Sequence, residues 1–121
     1  MKRRRPTPAE YEILRVLWSR GPSTVREVHE ALGGEGGYTT TLKLMQIMSD
    51  KGLVARDRSE RAHYYEAVAE RDRCERSAVD DLIEHVFGGS AGRLMLHALS
   101  TKKATPQELA EIRRLIDEAS R

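Results

Sequence analysis

In 121 residues the sequence holds one cysteine, Cys74, one tryptophan and one phenylalanine. A single thiol excludes an internal disulfide and any zinc or iron–sulfur site built on several cysteines. No apolar stretch exceeds a few residues, so neither a membrane span nor the apolar core of a signal peptide is expected, and a soluble cytoplasmic protein is the expectation. The histidines His29, His63, His85 and His97 are dispersed without HxxxH or HExxH spacing, which argues against a metal centre. There is no Cys–His pair with an orienting residue and no strand–glycine loop–helix unit, so neither an enzyme nor a bound cofactor is expected. Charge of one sign is missing too: 21 Lys and Arg against 19 Asp and Glu leave +2, far from a histone-like polycation.

Hydrophobic residues amount to 39%, enough for a modest core that oligomerisation would supplement. The near-cancelled charge conceals a split. Residues 1–65 carry 12 basic and 8 acidic side chains, while residues 66–121 carry 9 and 11. A basic first half joined to an acidic second half suits one part that meets a polyanion and another with a different task. Residues 1–6 form a basic tail, read either as a solvated terminus or as an arm touching phosphate.

Helix signals begin at once. Thr7-Pro8-Ala9-Glu10 spells a capping box with proline at the first helical position. Tyr11, Leu14, Leu17 and Trp18 follow at helical spacing, flanked by Ile13 and Val16, until Gly21-Pro22. Thr24-Val25-Arg26-Glu27 is a second box, opening a helix with the stripe Val25, Val28 and Leu32. The run Gly33-Gly34-Glu35-Gly36-Gly37 closes it in a flexible turn and lacks the GxxxxGK[ST] spacing of a phosphate loop. A third helix is predicted from Tyr38 to about Lys51, with Thr41, Leu44, Met45 and Met48 inward and Thr39, Thr40, Lys43, Gln46, Ile47 and Asp50 outward. Two extended runs, Leu53–Arg56 and Ala62–Val68, flank the polar turn Asp57-Arg58-Ser59-Glu60-Arg61 and read as a hairpin.

The remainder reads as three helices, Arg71–Phe87, Ser90–Ser100 and one launched by the box Thr105-Pro106-Gln107-Glu108 and running to Ala119. Their apolar stripes include Leu82, Ile83, Val86, Phe87, Leu94, Leu96, Leu109, Ile112, Leu115 and Ile116. Helices this short have too little volume for a core of their own, so these stripes are expected to pair with a second copy of the chain. The expected fold is mainly α with a small β-hairpin. It comprises a winged helix-turn-helix over residues 7–69 and a helical dimerisation domain over 70–121.

Such a domain lays its third helix in the major groove of DNA. Thr39, Thr40, Lys43 and Gln46 are then candidates for base edges and phosphates, with Ile47 on the same face. Arg58, Arg61 and His63 on the wing would lie over the flanking backbone, and the N–H groups at Ser23 and Thr24 would meet a phosphate. The alternatives are a winged helix that binds protein rather than nucleic acid, and a redox or other stress regulator using Cys74 beside Arg71 and Arg73.

These stretches carry a resemblance. Pro8-Ala9-Glu10-Tyr11-Glu12-Ile13-Leu14 with Leu17-Trp18, Pro22-Ser23-Thr24-Val25-Arg26-Glu27-Val28, and Tyr38-Thr39-Thr40-Thr41-Leu42-Lys43-Leu44-Met45 are similar to the BlaI/MecI penicillinase-repressor family. So are Lys51-Gly52-Leu53-Val54, Arg61-Ala62-His63-Tyr64-Tyr65 and Phe87-Gly88-Gly89-Ser90, and the likeness runs from about residue 6 to 118. The resemblance implies a homodimeric repressor on palindromic operators, often with TACA-type half-sites, contacted through Thr39, Thr40, Lys43 and Gln46. It also implies release by a membrane-bound sensor metalloprotease that answers a β-lactam and cuts the dimerisation domain, at a bond matching His97-Ala98 here. The chain departs from the family's Asn–Phe at that bond and from its arginine at Ile47. Copper-responsive members carry a cluster of C-terminal cysteines, which this sequence lacks.

Overall fold

The computed structural model describes residues 5–59 and 61–121; residues 1–4 of the expected basic tail over 1–6 and the turn residue Glu60 lie outside the described residues. The chain divides between Glu75 and Arg76 into two compact units. The first contains helix α1 (Pro8–Arg20), strand β1 (Ser23–Thr24), helix α2 (Val25–Ala31), helix α3 (Tyr38–Asp50) and strands β2 (Val54–Asp57) and β3 (Tyr64–Ala67). Helix α4 (Arg71–His85) crosses the division, and α5 (Ala91–Thr101) and α6 (Pro106–Ala119) belong to the second unit.

All three capping boxes form. Thr7, Thr24 and Thr105 each accept from the N–H three residues on, and Glu10, Glu27 and Glu108 reach back to the cap N–H. Each cap contributes on the order of 1 kcal/mol, which fixes where its helix starts. α1 ends at Gly21, whose φ of 87° needs glycine and whose N–H donates to Leu17 O at 2.8 Å.

The core of the first unit gathers Ile13, Leu14 and Leu17 of α1, Val25 and Val28 of α2, and Met45 and Met48 of α3, closed by Leu53, Val54 and Tyr65. Full burial of each such side chain contributes roughly 1.5–3 kcal/mol. Ile13, expected at the edge of the α1 stripe, lies at its buried centre, whereas Tyr11 and Trp18 are only half-buried. Trp18 keeps its Nε1–H near the rim and donates it to Ala69 O at 2.8 Å, across 51 residues of sequence. Leu32, placed by periodicity on the α2 stripe, stands beyond the helix end and is exposed.

The hairpin expectation is extended by a third strand. β1 adds to β3 through the pairs Ser23↔Tyr65 and Thr24↔Tyr64, so the antiparallel order is β1-β3-β2. β2 and β3 pair from Val54↔Ala67 to Asp57↔Tyr64. Two residues carry no readable alternation, and their pairing arises only because the turn after α1 passes beside β3. Two other boundaries shift. β3 is shorter than the run Ala62–Val68, and α4 stops at His85, because Gly88 and Gly89 adopt positive φ and Gly89 N–H turns back to Ile83 O at 2.7 Å.

A buried ion pair locks the first unit. Glu10, 2% exposed, accepts both hydrogen bonds of Lys51 Nζ, at 2.8 and 3.0 Å, and the Thr7 N–H at 2.9 Å. Burial pushes its carboxyl up, but the Lys51 hydrogen bonds, the Thr7 N–H and the Lys51 charge outweigh that and hold it below its ordinary value.

Replacing Lys51 by methionine strands a buried carboxylate and should cost about 3 kcal/mol in urea unfolding at neutral pH. Because the folded pKa of Glu10 is depressed, its contribution is complete above the ordinary 4.5 and is lost as pH falls through the folded value. The urea midpoint of Glu10→Gln should therefore fall less than that of the wild type over that acidic window.

Candidate nucleic-acid interface

α3 turns Thr41, Met45 and Met48 into the core, with Leu42 and Leu44 half-buried at its edges. That rotation leaves Thr39, Thr40, Lys43, Gln46, Ile47 and Asp50 exposed on the other side. Its first turn contains no acid, and its N-cap, Gly37, supplies no side-chain acceptor. The N-terminal end of this face is therefore short, hydrogen-bonding and electropositive, since the unmatched N–H groups of a helix start carry positive partial charge. The glycine-rich run before it follows a helix rather than a strand. It is a connector whose Gly33, Gly34 and Gly36 take positive φ.

Helices α2 and α3 are tied together at that end. His29 Nδ1 lies 2.9 Å from the Thr41 hydroxyl, and the His29 ring meets the Tyr38 ring edge-on at 6.1 Å. The Arg26 guanidinium sits over the same Tyr38 ring, 5.2 Å from its centroid. Arg26 and Tyr38 were absent from the expected contact set. Their pairing needs α2 and α3 folded together, and only the helical register of Arg26 on the exposed side of α2 hints at it.

The wing begins in an Asx turn. Ser59 N–H donates to Asp57 Oδ1 at 2.8 Å, and that bond, with the Ser59 hydroxyl, holds the Asp57 carboxyl below its usual range. Arg58, Arg61 and His63 are all exposed around this turn. An open groove of about 450 Å³ lies between α3 and the wing, lined by Gln46, Ser49, Asp50, Arg56, Arg58 and Tyr65. It brings Gln46 and Arg58 together and adds Arg56, a cation on β2 that local spacing does not connect to α3. Arg61 and His63 do not line it.

Ser23 and Thr24 require a correction. Ser23 is 1% exposed, is paired into the sheet, and donates its hydroxyl to Gly21 O at 2.9 Å. The Thr24 N–H donates to Glu27 Oε1 at 2.9 Å. Strand pairing and the capping box thus occupy the groups that were expected to face a phosphate.

Among the described residues, α4, α5 and α6 contain no buried residue. Leu82, Val86, Leu96, Leu115 and Ile116 stand exposed, while Ile83, Phe87, Leu94, Leu109 and Ile112 are half-covered. His97 and Ala98 are exposed within α5; the Thr101 hydroxyl donates to His97 O at 2.9 Å and the Lys102 N–H to Ala98 O at 3.1 Å.

Other chemistry finds little support. Gly88-Gly89-Ser90-Ala91-Gly92 has the spelling of a hydrolase nucleophile elbow, but it joins two helices rather than a strand to a helix. Ser90 caps α5, accepting from Arg93 N–H at 3.1 Å, and among the described residues its hydroxyl meets no histidine. Among the described residues no cluster suits a metal ion, and no helix is long and apolar enough to cross a membrane. Burial, and then the neighbouring Glu75, push the Cys74 thiol up, the opposite of what an oxidant-sensing thiolate needs.

The sequence matches the family model described as penicillinase repressor over residues 6–118. It is 38% identical over 92 residues to the transcriptional regulator BlaI of Mycobacterium tuberculosis, in both the CDC 1551/Oshkosh and ATCC 25618/H37Rv strains. That alignment covers 73% of this chain and 67% of the relative. The crystal structure of AbfR of Staphylococcus epidermidis overlays 95% of this chain and 72% of its own, with a TM-score of 0.49 at 13% identity, a likeness too slight to argue from.

Cys74 should react with iodoacetamide a few-fold more slowly in the folded protein than in urea, because burial lowers its thiolate fraction. A time course by mass spectrometry at neutral pH reads the ratio.

Proposed function

The chain belongs to the penicillinase repressor family of transcriptional regulators, which are not enzymes, and from that premise we propose a homodimeric repressor that reads operator DNA with α3. The observation that carries the reading is the α3 surface: Thr39, Thr40, Lys43 and Gln46 are all exposed on a helix whose other side is fixed in the core. Short side chains let the backbone approach base edges, Lys43 reaches guanine or phosphate, and Gln46 matches adenine. Residues 7–69 act as the DNA-binding domain, with Arg58, Arg61 and His63 over the flanking backbone, and residues 70–121 act as the dimerisation domain.

The dimer reading rests on the uncovered apolar faces of α4–α6. Leaving Leu96 70% and Val86 66% exposed forfeits burial that a second copy would recover. Two-fold symmetry then requires two half-sites separated by whole helical turns of DNA. A winged helix confined to protein partners does not account for an α3 end that lacks acid and is rich in hydroxyls.

Release by a membrane-bound sensor metalloprotease, in answer to a β-lactam, would cut His97-Ala98. Proteases take extended chain, so α5 must first unwind past the Thr101 and Lys102 hydrogen bonds. Loss of residues 98–121 removes α6 and weakens the dimer by mass action. Incubation with the cognate protease should yield a fragment ending at His97, and an intact C-terminus rejects this route. A redox signal through Cys74 is disfavoured by its raised pKa.

In gel shifts on the DNA upstream of its own gene, binding should weaken steeply with salt. Lys43→Ala should cost about 1–3 kcal/mol there. A larger loss on that DNA than on random duplex makes Lys43 a base reader; equal losses make it a phosphate contact. Sedimentation at tens of micromolar should give twice the chain mass, and a monomer would remove the dimer reading.

A further inference from the structure

We propose that Arg26, stacked on Tyr38, is a preorganised clamp for one backbone phosphate of the operator. The inference rests on α3 being the helix that enters the groove, and it adds a contact made from the neighbouring helix.

Arg26 lies in the first turn of α2, exposed, with its guanidinium carbon 5.2 Å from the Tyr38 ring centroid. Tyr38 is the first residue of α3 and is 40% exposed. Its ring is held by the edge of His29, which in turn is anchored to Thr41. The aromatic platform is therefore fixed between two helices before any ligand arrives. An arginine held over a ring by its π-face keeps its in-plane N–H donors available to another partner, and Arg26 is exposed.

A stacked arginine of this kind has two usual uses, an internal carboxylate or an external anion. Among the described residues Arg26 forms no ion pair. The acid beside it in sequence, Glu27, is engaged by the Thr24 N–H and faces Arg20 at 3.6 Å. An external anion remains. In a helix-turn-helix the helix before the recognition helix crosses the sugar–phosphate backbone, so the anion within reach is a phosphodiester. The guanidinium fork grips two phosphate oxygens at once, and a side chain already immobilised loses less freedom on binding.

The test uses the full-length protein, fluorescence anisotropy, and two labelled duplexes: the DNA upstream of its own gene and a scrambled duplex of equal length. The slope of log affinity against log salt is measured for each. Each phosphate contact contributes roughly 0.9 to that slope, so Arg26→Ala in a dimer should lower it by about 1.8. Affinity at low salt should fall about tenfold on both duplexes alike. Tyr38→Phe should behave as wild type. Tyr38→Leu, which keeps the charge but loses the platform, should weaken binding while leaving the slope unchanged, and adding it to Arg26→Ala should cost little more. An unchanged slope for Arg26→Ala overturns the clamp, as does a loss confined to the upstream duplex. A fall in the melting temperature of Arg26→Ala that accounts for its weaker binding would make the stack a folding contact and also overturn it. If wild type binds neither duplex, the groove-entering reading of α3 fails and takes the clamp with it; wild-type binding with an unchanged Arg26→Ala slope sinks the clamp alone.

Discussion

The position of the exposed α3 face depends on one buried carboxylate. Glu10 closes the capping box that starts α1 and also receives both hydrogen bonds from Lys51, the residue that caps the far end of α3. One side chain therefore fixes the first turn of one helix against the last turn of another, 41 residues away in sequence. A buried ion pair is often no more stable than an apolar pair of the same size, so its value here is register. It ties the C-terminal end of α3 to the start of α1. His29–Thr41 and Arg26–Tyr38 set the opposite end, so the exposed face of α3 is held at both termini.

The two units solve the problem of small size differently. Among the described residues the first encloses ten buried apolar side chains, from three helices, the sheet and Leu53 between them, and seals its rim with the Trp18–Ala69 hydrogen bond. In α4, which crosses the division, and in α5 and α6 of the second unit, no described residue is buried, and charges there form surface pairs such as Arg114 with Glu111 and Glu118. Exposed pairs of this kind contribute little to stability. An amphipathic helix that cannot bury its stripe within its own chain is incomplete, and in the proposed dimer that incompleteness would couple assembly to occupancy of a two-fold DNA site.

Much of this was legible from residues alone. The three capping boxes announced their helices to the residue, because a Thr hydroxyl and a Glu three positions on bond only to their own helix start. Periodicity sorted the two sides of α3, since the burial of Thr41, Met45 and Met48 follows from spacing. It misjudged α1, where Ile13 displaced Tyr11 and Trp18 from the centre. A stripe is wider than the strip that ends up dry, and a large amphipathic ring favours the rim, where its polar atom finds a partner.

What the sequence determined by itself was the order of elements, their starts, and the polar character of the face that α3 turns outward, all of which depend on neighbours within a few positions. What only the tertiary structure decided was the third strand at Ser23–Thr24, the burial of Ser23, the Glu10–Lys51 lock, the Arg26–Tyr38 stack and the entry of Arg56 into the groove beside Gln46. Each of these joins residues that local spacing cannot connect. They form because closing one small core brings the turn after α1, the end of α3 and the wing within hydrogen-bonding distance of one another.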